Sequence, residues 1–408
     1  MKKILSLVLI LCLVAPVFAF AELDEEELEI EEITEEIALD DIPEPAVSGD
    51  SGSIEMTDEM ADELLKNLEA GDDKTATIDT DSLYINPNMP EDVINILLLG
   101  VDTREDTLGE DDHTVKRADV QLILSFNTAT GDIKLTSIPR DTLVTNPANG
   151  KLMPITNAYT SFDDKGVFHE NPQRSIAVVN YNFEMNIQYF FSINFYGVVK
   201  IVEALGGVDV DLTEAEAYSI NVYLSTKNIK SGDKKVSHGK AILKTYGKEF
   251  GLPEPLEVKA GVQHLTGLQA LIYARLRETI RKKYPLGGDW QRTVRTRHLL
   301  ELLLRKALQL KTGDLLNLLI DSTQYMYTNM TGAEIYKLAM AALNSGLVAK
   351  SASGTDSLFE QFRVPMEGTW SYSNGDIFIS RNNGNFRKNI EALHGFIYGE
   401  GNYYPANP

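Results

Sequence analysis

Two apolar runs separated by a short polar turn constrain the fold of this chain more than any other feature. Val120–Phe126 and Ile133–Ile138 flank six residues of turn-forming types. We therefore expect the two runs to form an antiparallel hairpin. If pairing is centred on the middle of that turn, Asp119 lies opposite Arg140.

Arginines and aspartates also stand where other apolar runs begin or end. They occur in the stretches Gly100–Arg104, Arg117–Asp119, Ile138–Asp141 and Tyr273–Arg277. If the run Ile94–Leu99 lies beside the hairpin with its end toward Arg140, Asp102 joins Asp119 on one rim. Carboxylates and guanidinium groups together suit a metal-assisted phosphoryl site. Salt bridges at strand ends are the alternative interpretation.

The excess of arginine favours a phosphate-binding role for this rim. Arg275 and Arg277 stand two residues apart in a run predicted as a strand over 271–277, so both would project to one face. The planar guanidinium group can grip phosphate oxygens in a bidentate manner.

A helix predicted to begin at Asp289 adds two more arginines. Arg292 and Arg295 would lie near its N-terminus, where cations oppose the helix dipole. This placement indicates an anionic ligand or partner. Pairing of these arginines with Asp289 and Glu301 is the structural alternative.

The remaining pattern alternates strands with helices. Strands are predicted at 94–99, 120–126, 133–138, 190–194, 208–212, 271–277, 361–364 and 376–379, and helices at 173–185, 196–205, 266–271, 289–310, 331–343 and 385–397. This order predicts one α/β domain over 91–400, an α-β-α sandwich with a central mixed sheet, followed by a tail at 401–408. The leucine-rich segment 299–310 is either buried core or the wall of a lipid pocket.

The first 21 residues are typical of an export signal. Two lysines precede the apolar run Ile4–Val14, and Ala19-Phe20-Ala21 matches a cleavage pattern. An uncleaved membrane anchor is the alternative, because the apolar stretch could just span a bilayer. Cys12 is the only cysteine of the chain. A cleaved protein would therefore contain no disulfide, cysteine nucleophile or cysteine-metal site.

The acidic charge of the chain is concentrated before the folded domain. Residues 22–81 contain 24 acidic and two basic residues, whereas 82–408 contain 36 acidic and 34 basic residues. Such a segment cannot bury a core, so we expect 22–90 to be a disordered acidic linker.

Several common sites are absent from the sequence. It has no P-loop, no G-x-S-x-G and no H-E-x-x-H motif, and its six histidines show no ligand spacing. No segment is typical of a nucleic-acid-binding module, so we expect no nucleic-acid partner.

Taken together, these motifs resemble the LytR-CpsA-Psr family of cell-envelope proteins. The matching stretches, in the order of the family, are Asn95–Arg104, Arg117–Asp119, Ser137–Thr142, Ile155–Tyr159, Phe195–Gly197, Val202–Val208, Leu265–Leu271, Tyr273–Arg277 and Asp289–Arg295. The resemblance implies transfer of a glycan from a polyprenyl-pyrophosphate carrier to a cell-wall acceptor, usually peptidoglycan. It also implies Mg²⁺ as cofactor and an apolar tunnel for the lipid, enclosed by the sheet and helices.

The resemblance also assigns roles to individual residues. Asp102 and Asp119 would hold the metal ion. The expected pyrophosphate-binding residues are Arg104, Arg117, Arg140, Arg275, Arg277 and Arg292. Asp119 and Asp141 are candidates for the base that activates the acceptor hydroxyl, with Arg140 beside them, and such a base needs only hydrogen-bond reach.

Other functions remain compatible with the same residues. A non-catalytic exported protein that binds polyprenyl phosphates would need the tunnel and the arginines but not the two aspartates. A hydrolase would transfer the same phosphoryl group to water. For the transferase, we expect a location at the outer face of a bacterial cytoplasmic membrane or in the cell wall. Contact with the membrane surface and an acceptor in peptidoglycan or a glycoprotein would follow.

Overall fold

A computed structural model describes most of the chain beyond the acidic leader. The described residues are 65, 66, 69, 75–101, 116–224, 257–276, 286, 288–310, 318, 325–344 and 358–406. The predicted export signal and most of the predicted linker lie outside these residues. In the part of the chain so described, no helix is long and apolar enough to cross a membrane.

The strands of the described residues form one large sheet and four two-stranded sheets. In chain order they are β1 Val93–Val101, β2 Ala118–Asn127, β3 Ile133–Ile138, β4 Leu143–Thr145, β5 Leu152–Pro154, β6 Thr160–Phe162, β7 Phe168–Glu170, β8 Tyr189–Asn194, β9 Val208–Leu212, β10 Gly261–Leu265, β11 Met326–Thr328, β12 Glu360–Arg363, β13 Ser371–Ser373 and β14 Asp376–Phe378. The large sheet has the order β11-β8-β1-β2-β3-β12. Pairs β1–β8 and β3–β12 are parallel and the other pairs are antiparallel, so the sheet is mixed as predicted.

Helices cover both faces of this sheet. They are α1 Pro172–Phe183, α2 Phe195–Ala204, α3 Glu214–Leu224, α4 Gly267–Arg275, α5 Gly288–Gln309, α6 Gly332–Asn344 and α7 Asn385–Tyr398. One apolar cluster joins one sheet face to α2 through α6, and a second joins the opposite face to α1 and α7. The predicted α-β-α sandwich is therefore confirmed.

The hairpin register is confirmed residue by residue. Gln121 pairs with Ile138 and Phe126 with Ile133, which is the register predicted from the turn. Strand β1 runs antiparallel to β2, and its last residue Val101 pairs with Ala118. The C-terminal end of β1 therefore lies beside the residue at which β2 begins.

The predicted strand at 271–277 is wrong, because the residues from 267 to 275 form helix α4. Thr266 caps this helix through the backbone N–H of Gln269, and the Gln269 side chain accepts from the backbone N–H of Thr266 in return. This reciprocal capping box starts the helix at a defined residue. All residues of α4 except Arg275 are buried, so the helix has no exposed polar face. A continuous apolar run of this kind is typical of both a buried helix and a buried strand.

Helices α2 and α4 approach each other closely at a glycine. A Cβ atom placed on Gly267 would lie 2.4 Å from the carbonyl oxygen of Val199 in α2. The backbone N–H of Gly267 donates to the carboxylate of Glu203 at 2.7 Å. The absence of a side chain at this position therefore sets the distance between the two helices.

The folded domain is larger than the predicted 91–400. Leu83 and Met89, within the predicted linker, are buried in the core. The Asn86 side chain donates to the carbonyl oxygens of Glu184 and Tyr404 at 2.8 Å each, which joins this segment to the predicted tail. Residues on both sides of the predicted boundaries therefore belong to the packed structure.

The buried histidine of α7 predicts a loss of stability in acid. His394 Nδ1 accepts from the backbone N–H of Tyr404 at 3.2 Å, and Nε2 donates to the carbonyl oxygen of Phe183 at 3.0 Å. Burial lowers the pKa of His394. The unfolded chain binds a proton at this residue below pH 6.5, whereas the folded protein binds it only at lower pH. This contribution to stability is therefore present above pH 6.5 and is lost as the pH falls from that value to the lowered pKa of the folded protein.

We expect the free energy of unfolding in urea to fall by up to ~1.4 kcal/mol per pH unit below that point because of His394. Replacement His394→Gln should flatten this dependence. Burial lowers the pKa of His298 as well, so His298→Gln serves as the second variant that separates the two contributions. An unchanged slope in both variants would contradict the assignment.

Candidate active site

Four strand termini meet at one end of the central strands of the large sheet. Strands β1, β3 and β8 end there and β2 begins there, because Val101 pairs with both Ala118 and Asn194. Arg140 follows the end of β3 by two residues. The buried sheet thus fixes several polar side chains along one rim, where rigid support favours a functional site.

Asp119 lies at the centre of this rim. Its carboxylate is only 5% exposed and lies 3.6 Å from the guanidinium group of Arg140. The Thr156 hydroxyl, from the 3₁₀ turn Ile155–Tyr159, donates to the same carboxylate oxygen at 3.3 Å. The proximity of Asp119 and Arg140 predicted from the hairpin is therefore confirmed.

Arg140 also contacts the next residue in the chain. Its Nε lies 3.4 Å from Oδ2 of Asp141, so one guanidinium group lies between two carboxylates. The carbonyl oxygen of Asp141 accepts from the backbone N–H of Ile377 at 2.9 Å, which ties this loop to β14. Burial and the nearby Asp141 together raise the pKa of Asp376. Negative charge therefore accumulates on this side of Arg140.

Arg275 reaches the same strand ends from helix α4. Its guanidinium carbon lies 4.1 Å from the centre of the Phe195 ring, and Phe195 directly follows the end of β8. This stacking holds the guanidinium plane near the rim. The prediction that Arg275 shares a strand face with Arg277 is wrong, since Arg275 ends a helix. Arg277 lies outside the described residues.

Arg295 has a structural role. Its Nη2 donates to the carbonyl oxygens of Leu276 at 2.6 Å and Leu286 at 3.0 Å, and its Nη1 lies 3.5 Å from the carboxylate of Glu216. Burial lowers its pKa. Its predicted alternative partner Glu301 pairs with Arg305 instead. Arg295 therefore joins α5 to the end of α4 and to α3.

The other predicted site residues are only partly covered by the described residues. Arg117 is described and exposed, next to the start of β2. Arg292 belongs to the described backbone of α5, but its side chain lies outside the described atoms. Asp102 and Arg104 lie outside the described residues. Asp102 directly follows Val101, the last residue of β1.

A buried ion pair formed by Lys116, three residues before Asp119, was not predicted from the sequence. Lys116 Nζ lies 2.7 Å from Oε1 of Glu170, and both side chains are largely buried. The Tyr159 hydroxyl donates to Oε2 of the same glutamate at 2.6 Å, and burial raises the pKa of Tyr159 well above its usual value. The Thr160 hydroxyl donates to the carbonyl oxygen of Lys116. These contacts connect the start of β2 to hairpin β6–β7.

A cavity of about 430 Å³ has lining residues that are close in the chain to the rim. Its lining residues are Arg117, Asn146, Asn149, Lys151, Leu152, Met153, Asn157, Thr160, Phe162, Phe168 and Arg174. Arg117 stands two residues before Asp119, and Asn157 directly follows Thr156, which contacts Asp119. Hairpins β4–β5 and β6–β7 form much of its wall, and neither hairpin was predicted, so no sequence pattern indicated this cavity.

The donor atoms at the rim are compatible with Mg²⁺. Within the described ranges, no group of three or more His, Cys, Asp or Glu residues could hold a metal ion. Mg²⁺ commonly uses one or two carboxylates and completes its shell with water and substrate phosphates, so it needs no such group. The carboxylate of Asp119, beside the hydroxyl of Thr156, supplies hard oxygen ligands of the required type.

The sequence profile of the LytR_cpsA_psr family matches residues 59–376. The match covers more than half of the chain and includes every strand of the large sheet. The chain therefore belongs to the LytR-CpsA-Psr family, as its motifs indicated.

Two relatives carry the name polyisoprenyl-teichoic acid–peptidoglycan teichoic acid transferase TagU. The protein from Oceanobacillus iheyensis is 29% identical over 256 residues, which cover 60% of this chain and 64% of that protein. The protein from Halalkalibacterium halodurans is 29% identical over 219 residues, which cover 54% of this chain and 55% of that protein. The chain thus spans less than two thirds of the length of these relatives.

Solved structures of similar shape include the family protein YwtF (TagT) with bound octaprenyl pyrophosphate lipid. It is 19% identical, with 76% of this chain and 91% of that chain covered and a TM-score of 0.44. The family assignment comes from the sequence match and not from this likeness.

Proposed function

We propose that this protein transfers a glycopolymer from a polyprenyl-pyrophosphate carrier to a hydroxyl group of the cell wall, with peptidoglycan as the acceptor. The observation that carries the proposal is the contact of buried Asp119 with Arg140 at the strand ends, where Phe195, which follows β8, also holds Arg275. A guanidinium group beside a buried carboxylate, with a second guanidinium group at the same strand ends, suits a substrate with a pyrophosphate group. Membership in the family and the names of the two TagU relatives support this choice of substrate.

The reaction follows from the chemistry of the groups at the rim. The acceptor hydroxyl oxygen forms a bond to the phosphorus next to the glycan, and the bond from that phosphorus to the bridging oxygen breaks. Polyprenyl phosphate leaves with the bonding electrons, and a carboxylate accepts the hydroxyl proton. Asp141 is partly exposed and lies beside Arg140, so it can receive a proton from an acceptor that enters from solvent. Asp119 is the second candidate for this base.

The arginines bind the charge that develops on the leaving phosphate. Arg140 is held between Asp119 and Asp141, and Arg275 is held on the Phe195 ring, so both are oriented before substrate binds. Preorganised donors of this kind contribute ~3–4 kcal/mol each to the stabilisation of a transition state. Arg104, Arg117, Arg277 and Arg292 are the further residues that we propose for this role.

Asp119 and Asp102 are the residues that we propose to hold Mg²⁺. A bound Mg²⁺ would offset negative charge on the pyrophosphate oxygens. The carboxylate of Asp119 is buried and fixed by Thr156, so it presents its oxygens in a defined direction. We expect binding of the ion to depend on the pyrophosphate as a joint ligand.

The polyprenyl chain requires an apolar site, and we propose that it lies on the face of the sheet covered by α2 to α6. Leu299, Leu300, Leu303 and Leu304 of α5 belong to the apolar cluster of that face. The pyrophosphate rim lies at one end of the same face, since Arg275 ends α4 there. A substrate in the outer leaflet would require export of the protein to the outer surface of the membrane.

The proposal is tested with purified full-length protein, a short-chain lipid-linked saccharide donor and peptidoglycan fragments. We expect release of polyprenyl phosphate together with a phosphodiester-linked product, and loss of both on removal of Mg²⁺ with EDTA. Release of polyprenyl phosphate without coupling to the fragments would indicate a hydrolase. Lipid binding without release would indicate a non-catalytic binding protein.

Replacement Arg140→Lys should lower turnover by ~10²-fold, comparable to the loss of one oxyanion donor. Lysine keeps the charge but cannot bridge two oxygens with a planar fork. The melting temperature should change little, because lysine keeps a positive charge beside the buried carboxylate of Asp119. Exposed Arg387, on α7, provides the matched control Arg387→Lys. Full turnover in Arg140→Lys would mean that Arg140 is only structural.

A further inference from the structure

The cavity of about 430 Å³ described above has three cations and no acidic residue in its lining. Arg117, Lys151 and Arg174 are its charged lining residues. Each is a cation at neutral pH, so the cavity carries a positive charge that none of its own lining residues offsets. Such a cavity favours an anionic ligand.

Arg174 lies deepest among these cations. Its Nη1 donates to the carbonyl oxygen of Thr160 at 2.7 Å, and its Nη2 lies 3.2 Å from the sulfur of Met153. Its Nε is buried and has no hydrogen-bond partner among the described residues. A buried donor without an acceptor is costly, and a bound oxygen would satisfy it.

The asparagines of the lining offer neutral donors beside these charges. Oδ1 of Asn146 accepts from the backbone N–H of Ala148 at 3.1 Å, and Oδ1 of Asn149 accepts from that of Lys151 at 3.0 Å. The amide NH₂ groups of both residues are therefore the atoms available to a ligand. Amide groups next to cations suit a ligand that carries both hydroxyl groups and a negative charge.

An aromatic pair completes the cavity. Phe162 is 62% exposed, and its ring centre lies 4.2 Å from that of Phe168. A large, exposed apolar ring in the lining of a cavity can pack against the apolar face of a sugar ring. The pair lies on hairpin β6–β7, which the buried ion pair of Lys116 and Glu170 joins to the start of β2.

We propose that this cavity is a binding subsite for an anionic sugar unit. The cations bind its phosphate or carboxylate group, the asparagines bind its hydroxyl groups, and Phe162 packs on its ring. Two lining residues are close in the chain to the site, because Arg117 precedes Asp119 by two residues and Asn157 directly follows Thr156, which contacts Asp119. The inference rests on the proposed function only for the origin of the sugar, which is either the phosphate-linked donor or a carboxylate-bearing acceptor.

The binding test needs neither lipid nor metal. Titration calorimetry with the full chain in EDTA uses three probes: N-acetylglucosamine 1-phosphate, N-acetylmuramic acid and neutral N-acetylglucosamine. We expect at least one anionic probe to bind ~10-fold or more tightly than the neutral sugar, as one charge-assisted contact allows. Preference for the phosphate assigns the cavity to the donor, and preference for the muramic carboxylate assigns it to the acceptor.

Two variants of lining residues and one control complete the test. Lys151→Ala and Phe162→Ala should each weaken the preferred probe by ~5-fold or more. Both side chains are exposed, so neither variant should prevent folding. Lys165→Ala, in the turn of the same hairpin β6–β7 but outside the cavity, should bind as the wild type does. Equal binding of charged and neutral sugars, or wild-type binding in both lining variants, would overturn the proposal.

Failure of this subsite is distinguishable from failure of the proposed function. Normal transfer with an unchanged KM in Lys151→Ala and Phe162→Ala would exclude the subsite and leave the transferase intact. Anionic sugar binding that depends on Lys151 in a protein without transfer activity would retain the subsite and exclude the transferase.

Discussion

Replacement of Asp119 by asparagine is expected to reduce turnover by ~10³-fold or more, because it removes the buried carboxylate that we propose for metal binding and that is the second candidate for the base. Asparagine has nearly the same shape, so its side-chain oxygen can still accept from the Thr156 hydroxyl. Arg140 keeps its contact with Asp141. The substitution should therefore change the chemistry of the site while the fold persists.

Three measurements on Asp119→Asn separate catalysis from folding. Product formation should be lost, the melting temperature should stay near that of the wild type, and binding of polyprenyl pyrophosphate should remain measurable. Asp132→Asn is the matched control, because Asp132 is exposed in the turn at the other end of the same hairpin. Undiminished turnover in Asp119→Asn would refute the assigned role. Loss of activity in proportion to loss of folded protein would show that Asp119 is structural.

Replacement Gly267→Ala is expected to destabilise the protein by ~3 kcal/mol, at the upper end of the usual cost of overpacking. The added Cβ would lie 2.4 Å from the carbonyl oxygen of Val199 and 2.9 Å from its Cγ1. Because the first contact is with backbone, no side-chain rotation relieves it, and helix α4 must move away from α2. Arg275 ends α4 and stacks on Phe195 at the start of α2, so turnover should also fall.

A second glycine provides the control for this variant. Gly395 lies inside helix α7, and its nearest atom to an added Cβ is 3.8 Å away. Gly395→Ala should therefore be neutral or stabilise the protein by up to ~1 kcal/mol, as alanine does in a helix. Urea unfolding of both variants measures the difference. Equal stability of Gly267→Ala and Gly395→Ala would show that the two helices separate without cost.

The features that the sequence predicted well depend on neighbours in the chain. The pairing of Asp119 with Arg140 needs only a turn, two apolar runs and the alternation of a hairpin, all within about twenty residues. The prediction that Asp102 lies beside them also assumed that the run Ile94–Leu99 lies next to the hairpin with its end toward Arg140. The antiparallel pairing of β1 with β2 supports this direction of the backbone. Local patterns therefore identified the centre of the candidate site.

The error at α4 has a physical cause. The segment after Gly267 is apolar on all sides because the helix is buried on all sides, so it lacks the periodicity that distinguishes a helix from a buried strand. The capping residues Thr266 and Gln269 were the better signal, since a capping box requires a helix to follow. A helix begun there and continued for the usual length would have included Arg275.

The cavity and the buried ion pair could not be predicted because they depend on distant pairings. Lys116 contacts Glu170 only because hairpin β6–β7 packs beside the start of β2. Strands β6 and β7 have only three residues each. Short strands with mixed composition give almost no signal of their own. The residues that line the cavity become a group only through this packing.

The position of β12 at the edge of the sheet has a consequence for the fate of shortened chains. The outer edge of β3 is closed by Glu360–Arg363, which arrive more than two hundred residues later in the sequence. A product cut before residue 358 would keep the central hairpin but leave β3 with unpaired backbone groups, and without α7 part of the apolar face beside it would be uncovered. Open edges of this kind recruit other chains. Truncated copies should therefore precipitate instead of persisting as folded competitors of the intact protein.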